Sequence, residues 1–182
     1  MKNLNNFIAV ILLMTAFSVN AQRYNLGKVT VEELQEKQHP QDTTAAAAIL
    51  FKTGLVTFRY DDTDGFVMIT TVKAKIKIYK TDGYNWANQA VEFYTVAQSR
   101  DKLSFYNVAT YNLVNGKVEK TKIKSDGEFT EQVNKYWGRK KITLPNVKVG
   151  SILEYEYIIE SPRIGVFNDW KFQYDIPVNY SE

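Results

Sequence analysis

Histidine, cysteine and paired carboxylates supply most hydrolytic and metal sites, and this sequence is poor in the first two. His39 is the only histidine and there is no cysteine at all. A thiolate zinc set or a Cys–His dyad therefore cannot be assembled within the chain. His39 stands beside Pro40 in a polar stretch and reads as an exposed loop histidine. Glu154 and Glu156 lie two apart in an apolar-alternating run, so they share one face of a strand. Glycoside hydrolysis needs its carboxyls on opposite sides of a scissile bond, roughly 5 to 10 Å apart. Since Leu153, Tyr155, Tyr157 and Ile159 form the opposite, apolar face, the two glutamates are expected to mark a solvated side. Asp61, Asp62 and Asp64 have a spacing compatible with calcium, but no bidentate glutamate closes the loop, and the cluster reads as a turn.

One surface remains as a binding candidate. The stretch from Lys135 to Lys141 interleaves cations with rings, and Tyr136, Trp137, Arg139, Lys140 and Lys141 are its expected ligand-binding residues. Aromatic faces stack on sugars and cations pair with anions, so an envelope glycan or an anionic partner fits the composition. The competing expectation is a basic loop leading into a strand at Ile142. Neither metal nor cofactor is implied.

Those side chains must be positioned by what surrounds them, beginning with the N-terminus. Lys2 is the only charge in the first 21 residues, and an apolar run from Phe7 to Phe17 follows. That run suits a secretory h-region but falls short of the ~20 residues of a membrane-spanning helix. Ser18, Val19, Asn20 and Ala21 then offer an A-x-A-like site, placing cleavage after Ala21. The expected product is exported, periplasmic or secreted, with no transmembrane segment after processing. Its formal charge falls from +3 to +2 once Lys2 is removed, a balance that points to no nucleic-acid partner. Without cysteine, stability must come from burial, and 12 Tyr, 10 Phe and 3 Trp are available for it.

Residues 22–44 form a polar lead-in, in which Thr30 and Glu33 are spaced as a capping box before a short helical turn through Leu34. Residues 45–182 read as one β domain. Ala45–Phe51 and Leu55–Tyr60 are β-rich runs parted by Lys52, Thr53 and Gly54, as in a hairpin. Val72, Ala74, Ile76 and Ile78 alternate with Lys73, Lys75 and Lys77, which predicts a strand with a core face and a wet face. Around Trp86, Ala87, Ala90 and Phe93 the spacing fits one or two helical turns. Asn115–Gly116 between Leu103–Val114 and Lys117–Ile123 predicts a tight hairpin, because both residues tolerate positive φ. A last pair is expected over Ser151–Ile159 and Trp170–Ile176, with Pro162 and Gly165 between them. Many short strands without alternating long helices argue for an all-β, antiparallel, immunoglobulin-like β-sandwich with one or two short helical turns.

The run from Thr143 through Pro145, Gly150, Leu153 and Tyr155 to Tyr157 resembles the signature segment of domain-of-unknown-function family 3857. The ending from Trp170 to Pro177 and Val178, and the opening Ala45–Gly54 with Val56, Phe58 and Tyr60, are similar to that family as well. The likeness covers about residues 42 to 182. It implies a sandwich standing N-terminal to a transglutaminase-like domain in large exported bacterial proteins, with a Cys–His–Asp triad in that neighbour and none here. On that reading the chain is the front part of a longer protein, its sandwich C-terminally incomplete and non-catalytic. Pro145, Gly150, Tyr155, Tyr157, Trp170 and Pro177 are then expected to serve the fold.

Overall fold

Period-two patterning and turn chemistry account for most of the architecture. The computed structural model describes residues 25–63 and 65–182; the expected leader and its cleavage point after Ala21 lie outside the described residues. After a short helix α1 (Val31–Gln35) the strands are β1 (Ala47–Asp61), β2 (Gly65–Ile78), β3 (Asn88–Tyr94), β4 (Lys102–Val114), β5 (Lys117–Lys122), β6 (Glu128–Gln132), β7 (Trp137–Thr143) and β8 (Ile152–Ser161). They form an antiparallel sandwich, as expected: a five-stranded sheet in the order β1-β2-β8-β4-β5 faces a three-stranded sheet in the order β3-β7-β6.

The main core lies between the sheets. Ala74, Ile76 and Ile78 of β2 pack with Leu153 and Tyr155 of β8 against Ile142 of β7, with Ala87 and Leu144 beside them. Register explains the selection, because Ala74 pairs with Tyr155 and Ile76 with Leu153, which puts the apolar members of both strands on one side. Asn115 and Gly116 turn β4 into β5 at φ 51° and 75°, a mirror-image turn whose twist matches the strands it joins.

Four expectations change. Lys52–Gly54 is not a turn: β1 runs through it without interruption, and a bulge between Ile49 and Phe51 absorbs the irregularity. Gly54 lies against the Trp170 ring, and a Cβ there would stand 2.7 Å from it, so a larger residue would force the ring to move. The residues around Trp86 divide between a 3-10 turn (Thr81–Ala87) and strand β3. Trp170–Ile176 forms no strand; the following residues instead run parallel to the edge of β1, where Ile49 N–H donates to Pro177 O at 2.9 Å and Gly54 N–H to Glu182 O at 2.7 Å. Most consequential is the lysine face of β2, which is not wet. Lys75 is buried and Lys77 is 0% exposed, because residues 25–36 lie across them.

Candidate functional site

The basic and aromatic residues singled out above sit in and after the turn from β6 to β7. Asn134 forms that turn by accepting the N–H groups of Tyr136 (2.9 Å) and Trp137 (3.1 Å) on its side-chain oxygen. Tyr136 is exposed, with the Lys135 ammonium 4.7 Å above its ring. Trp137 opens β7 and stacks edge-on against Tyr94 at 5.5 Å, while the Arg163 guanidinium covers both rings. Trp137, Arg139 and Lys141 therefore share one face, and Lys140 belongs to the other with Ile142. The segment is a central strand rather than a loop, and its cations meet acids on both neighbours. Arg139 bridges Glu92 at 2.6 Å and Glu131 at 3.2 Å, Lys141 reaches Glu131 at 2.8 Å, and Lys140 reaches Glu128 at 3.1 Å. The hydrogen bond from Lys141 holds the Glu131 carboxyl below its ordinary range, and that to Glu92 raises Arg139. What the structure gathers here is a strand whose three cations are matched by acids, with Tyr136 exposed beside it under the Lys135 ammonium.

A second constellation lies on the outer face of the five-stranded sheet. Lys75 of β2 and Glu154 of β8 are directly paired across the strands, and residues 25–36 cover both. Thr30 and Glu33 form the expected capping box, each accepting the other's backbone N–H (2.8 and 3.2 Å). That short turn presents Leu34 to a small apolar cluster with Ala109, Tyr111 and Ile152. Three buried charges then hold the strap down. Lys77 donates to Leu34 O (2.9 Å) and Gly150 O (2.7 Å), joining strap, β2 and the loop before β8. Lys75 donates to Lys28 O (3.0 Å) and pairs with Glu33 at 2.6 Å. Glu154 accepts the Gly27 N–H at 2.6 Å, while its other oxygen lies 3.9 Å from Lys75 and has no hydrogen-bond partner.

Burial sets the titration of this cluster. It pulls the Lys77 ammonium down to about 8, against the opposing pull of Glu36 and Glu33. It raises Glu154, with the Gly27 N–H and Lys75 opposing, and it raises the Tyr111 hydroxyl that faces this carboxylate. The glutamates are thus not simply a solvated side. Glu154 is fully buried, and Glu156 accepts the side-chain amide of Asn107 at 2.7 Å, at the bulge of β4. His39 is buried too: its Nε2 lies 2.8 Å from the Asn179 side-chain oxygen, and its Nδ1 accepts from Gln41 and Asp42. It staples the lead-in to the C-terminal segment.

These groups were missed because their partners come from a segment that sequence polarity alone marks as solvated. The capping box and Leu34 were the available signal, since a capped turn with an apolar residue needs a surface to pack on. Among the described residues no cluster of three or more His, Asp or Glu is arranged to hold a metal ion.

The family model described as "Domain of Unknown Function with solved-structure structure (DUF3857)" matches residues 68–182. The chain belongs to this family. The match begins at Met68 within β2, so the strap and β1 precede the part of the family 3857 domain that the model covers. A solved structure from Parabacteroides distasonis described as a "putative protease" is similar over 64% of this chain at 8% identity and a TM-score of 0.51. At that identity the likeness is one of fold, and this family 3857 chain corresponds to 23% of the length of that one. No curated protein matches it.

Proposed function

We propose that this chain is a non-catalytic, exported β-sandwich module that positions or regulates a transglutaminase-like domain lying C-terminal to it in the intact gene product. The observation that carries this reading is the use made of the polar side chains. Lys77, Glu154 and His39, each suited by type to chemistry, are buried and engaged in tying residues 25–44 and the C-terminal segment to the sheet. With no cysteine in the chain, a thiol nucleophile for amide transfer has to come from elsewhere. Similarity to 23% of a chain described as a "putative protease" supports an arrangement in which other parts of such proteins carry hydrolysis.

The test begins with the coding sequence after Glu182, where an in-frame domain containing Cys and His is expected. Its amide-hydrolysing or amide-transferring activity should fall when the module is deleted. A continuation lacking such a domain, or an activity indifferent to the deletion, contradicts the proposal.

A further inference from the structure

His39 is the single histidine of the chain, and its hydrogen bonds fix where its proton sits. The N–H groups of Gln41 and Asp42 both aim at Nδ1, at 3.3 and 3.2 Å. A ring nitrogen that accepts carries no hydrogen, so the proton belongs to Nε2, which donates to the Asn179 side-chain oxygen at 2.8 Å. Both nitrogens of the neutral ring are thereby used, and the residue is only 3% exposed. These contacts join segments far apart in sequence. Gln41 and Asp42 lie on the bend that leads into β1. Asn179 belongs to the C-terminal segment, where its own N–H donates to Ile49 O at 2.9 Å.

We propose that this tie is an acid-operated latch: the neutral His39 ring fastens the lead-in to the C-terminal segment, and uptake of a second ring proton releases them. An imidazolium has two N–H donors and no acceptor. Its Nδ1–H would point at the N–H groups of Gln41 and Asp42, leaving three donors facing one another with no acceptor between them. Opening relieves the conflict, because the freed ring and both amides are then hydrated. An exported chain, as proposed above, shares the pH of its surroundings, so the proton is supplied from outside.

The charges around the ring supply no substitute acceptor. Asp42, on the same bend, attracts a charged ring, but its Oδ1 is committed to the N–H and hydroxyl of Thr44 at 2.9 and 2.7 Å. Just after β2, Tyr79 stands edge-on to the ring at 6.3 Å and sends its hydroxyl to Glu36 of the strap at 2.9 Å. Its neighbour Lys80 reaches the carbonyls of Thr43 and Thr44, and as a cation it opposes a charged ring. From the C-terminal segment the contact is Asn179, which is neutral.

Free histidine takes up this proton near pH ~6.5. With docking confined to the neutral ring, the open latch should become about tenfold more populated between pH ~7.5 and ~5.5. Nuclear magnetic resonance tests this directly, since one histidine gives one set of ring signals. At the higher pH the ring nitrogen shifts should show Nδ1 bare and Nε2 protonated. Protection of the Gln41, Asp42 and Asn179 amides from exchange, corrected for intrinsic rates, should fall about tenfold at the lower pH while that of Leu153 holds. In His39→Gln, which has no ring to titrate, protection at these amides should be equal at both pH values whatever its level. A proton on Nδ1 at the higher pH, protection in the unmodified chain that ignores pH, a matching fall at Leu153, or the same fall in His39→Gln would overturn the proposal.

Discussion

β2 and β8 bury two faces of opposite chemistry. On the inner face Ala74, Ile76, Leu153 and Tyr155 pack against the second sheet. On the outer face Lys75, Lys77 and Glu154 are buried to a similar degree, yet what they meet is a strap of twelve residues, 25–36, with a single short helix. Apolar burial is non-directional and tolerates many partners. A buried lysine or carboxylate instead demands particular oxygens or N–H groups at hydrogen-bond distance. The inner face therefore supplies cohesion, and the outer face fixes where the N-terminal segment must lie. The comparison teaches that alternation reports the chemistry of a sheet's two faces without reporting which of them is dry.

Breaking the inner face should have the largest effect. Tyr155→Ala removes a ring buried between the sheets and costs about 3 to 5 kcal/mol, by analogy with phenylalanine truncations in cores. Urea denaturation measures it, and a loss under about 1 kcal/mol would place Tyr155 outside the core. On the outer face, Lys77→Met keeps much of the volume but leaves the carbonyls of Leu34 and Gly150 without their donor, and a loss of about 2 kcal/mol at neutral pH is expected.

That variant also sharpens the contrast through pH. The folded-state value of Lys77 is about 8 against an ordinary 10.5, so between these values the unfolded chain binds more protons. Stability contributed by Lys77 then rises with pH across that window. The gap between wild type and Lys77→Met should widen from pH 8 towards 10. Above that, ionisation of the unfolded chain's tyrosines lowers the stability of both proteins alike and leaves the gap unchanged, because burial raises Tyr79, Tyr111 and Tyr155 in the fold. A pH-independent gap would show that Lys77 is not desolvated.

The smallest effect belongs to Glu156, at the margin of the outer face. Its hydrogen bond to Asn107 supports a bulge residue at φ 54°, so Glu156→Ala should cost about 1 kcal/mol. In thermal melts it should rank well below Tyr155→Ala; a reversed order would invert the assignment of the faces.

How much of this was legible beforehand depends on the range of the interaction. The Asn115–Gly116 hairpin and the alternation of β2 and β8 are written in adjacent residues and could be read directly. The capping box at Thr30 and Glu33 could be read as well, but its destination could not, since Gly27 meets Glu154 across 127 positions. For the same reason the Lys135–Lys141 stretch looked like a free basic surface, because the acids that balance it arrive on β3 and β6 only when the strands pair. The Lys52–Gly54 stretch resembled a turn, and its glycine proved to answer a ring more than a hundred residues away.

The central claim is that the N-terminal strap is docked on a charged but dry face, and amide hydrogen exchange at Gly27 tests it most directly. Docking makes this N–H a donor to a buried carboxylate at 2.6 Å, so its exchange should be slowed well beyond that of a surface turn. Glu154→Ala should release that protection while amides of the inner-face strands, such as Leu153, remain slow. Rapid exchange at Gly27 in the unmodified chain, at the rate of an unstructured peptide, would contradict the account.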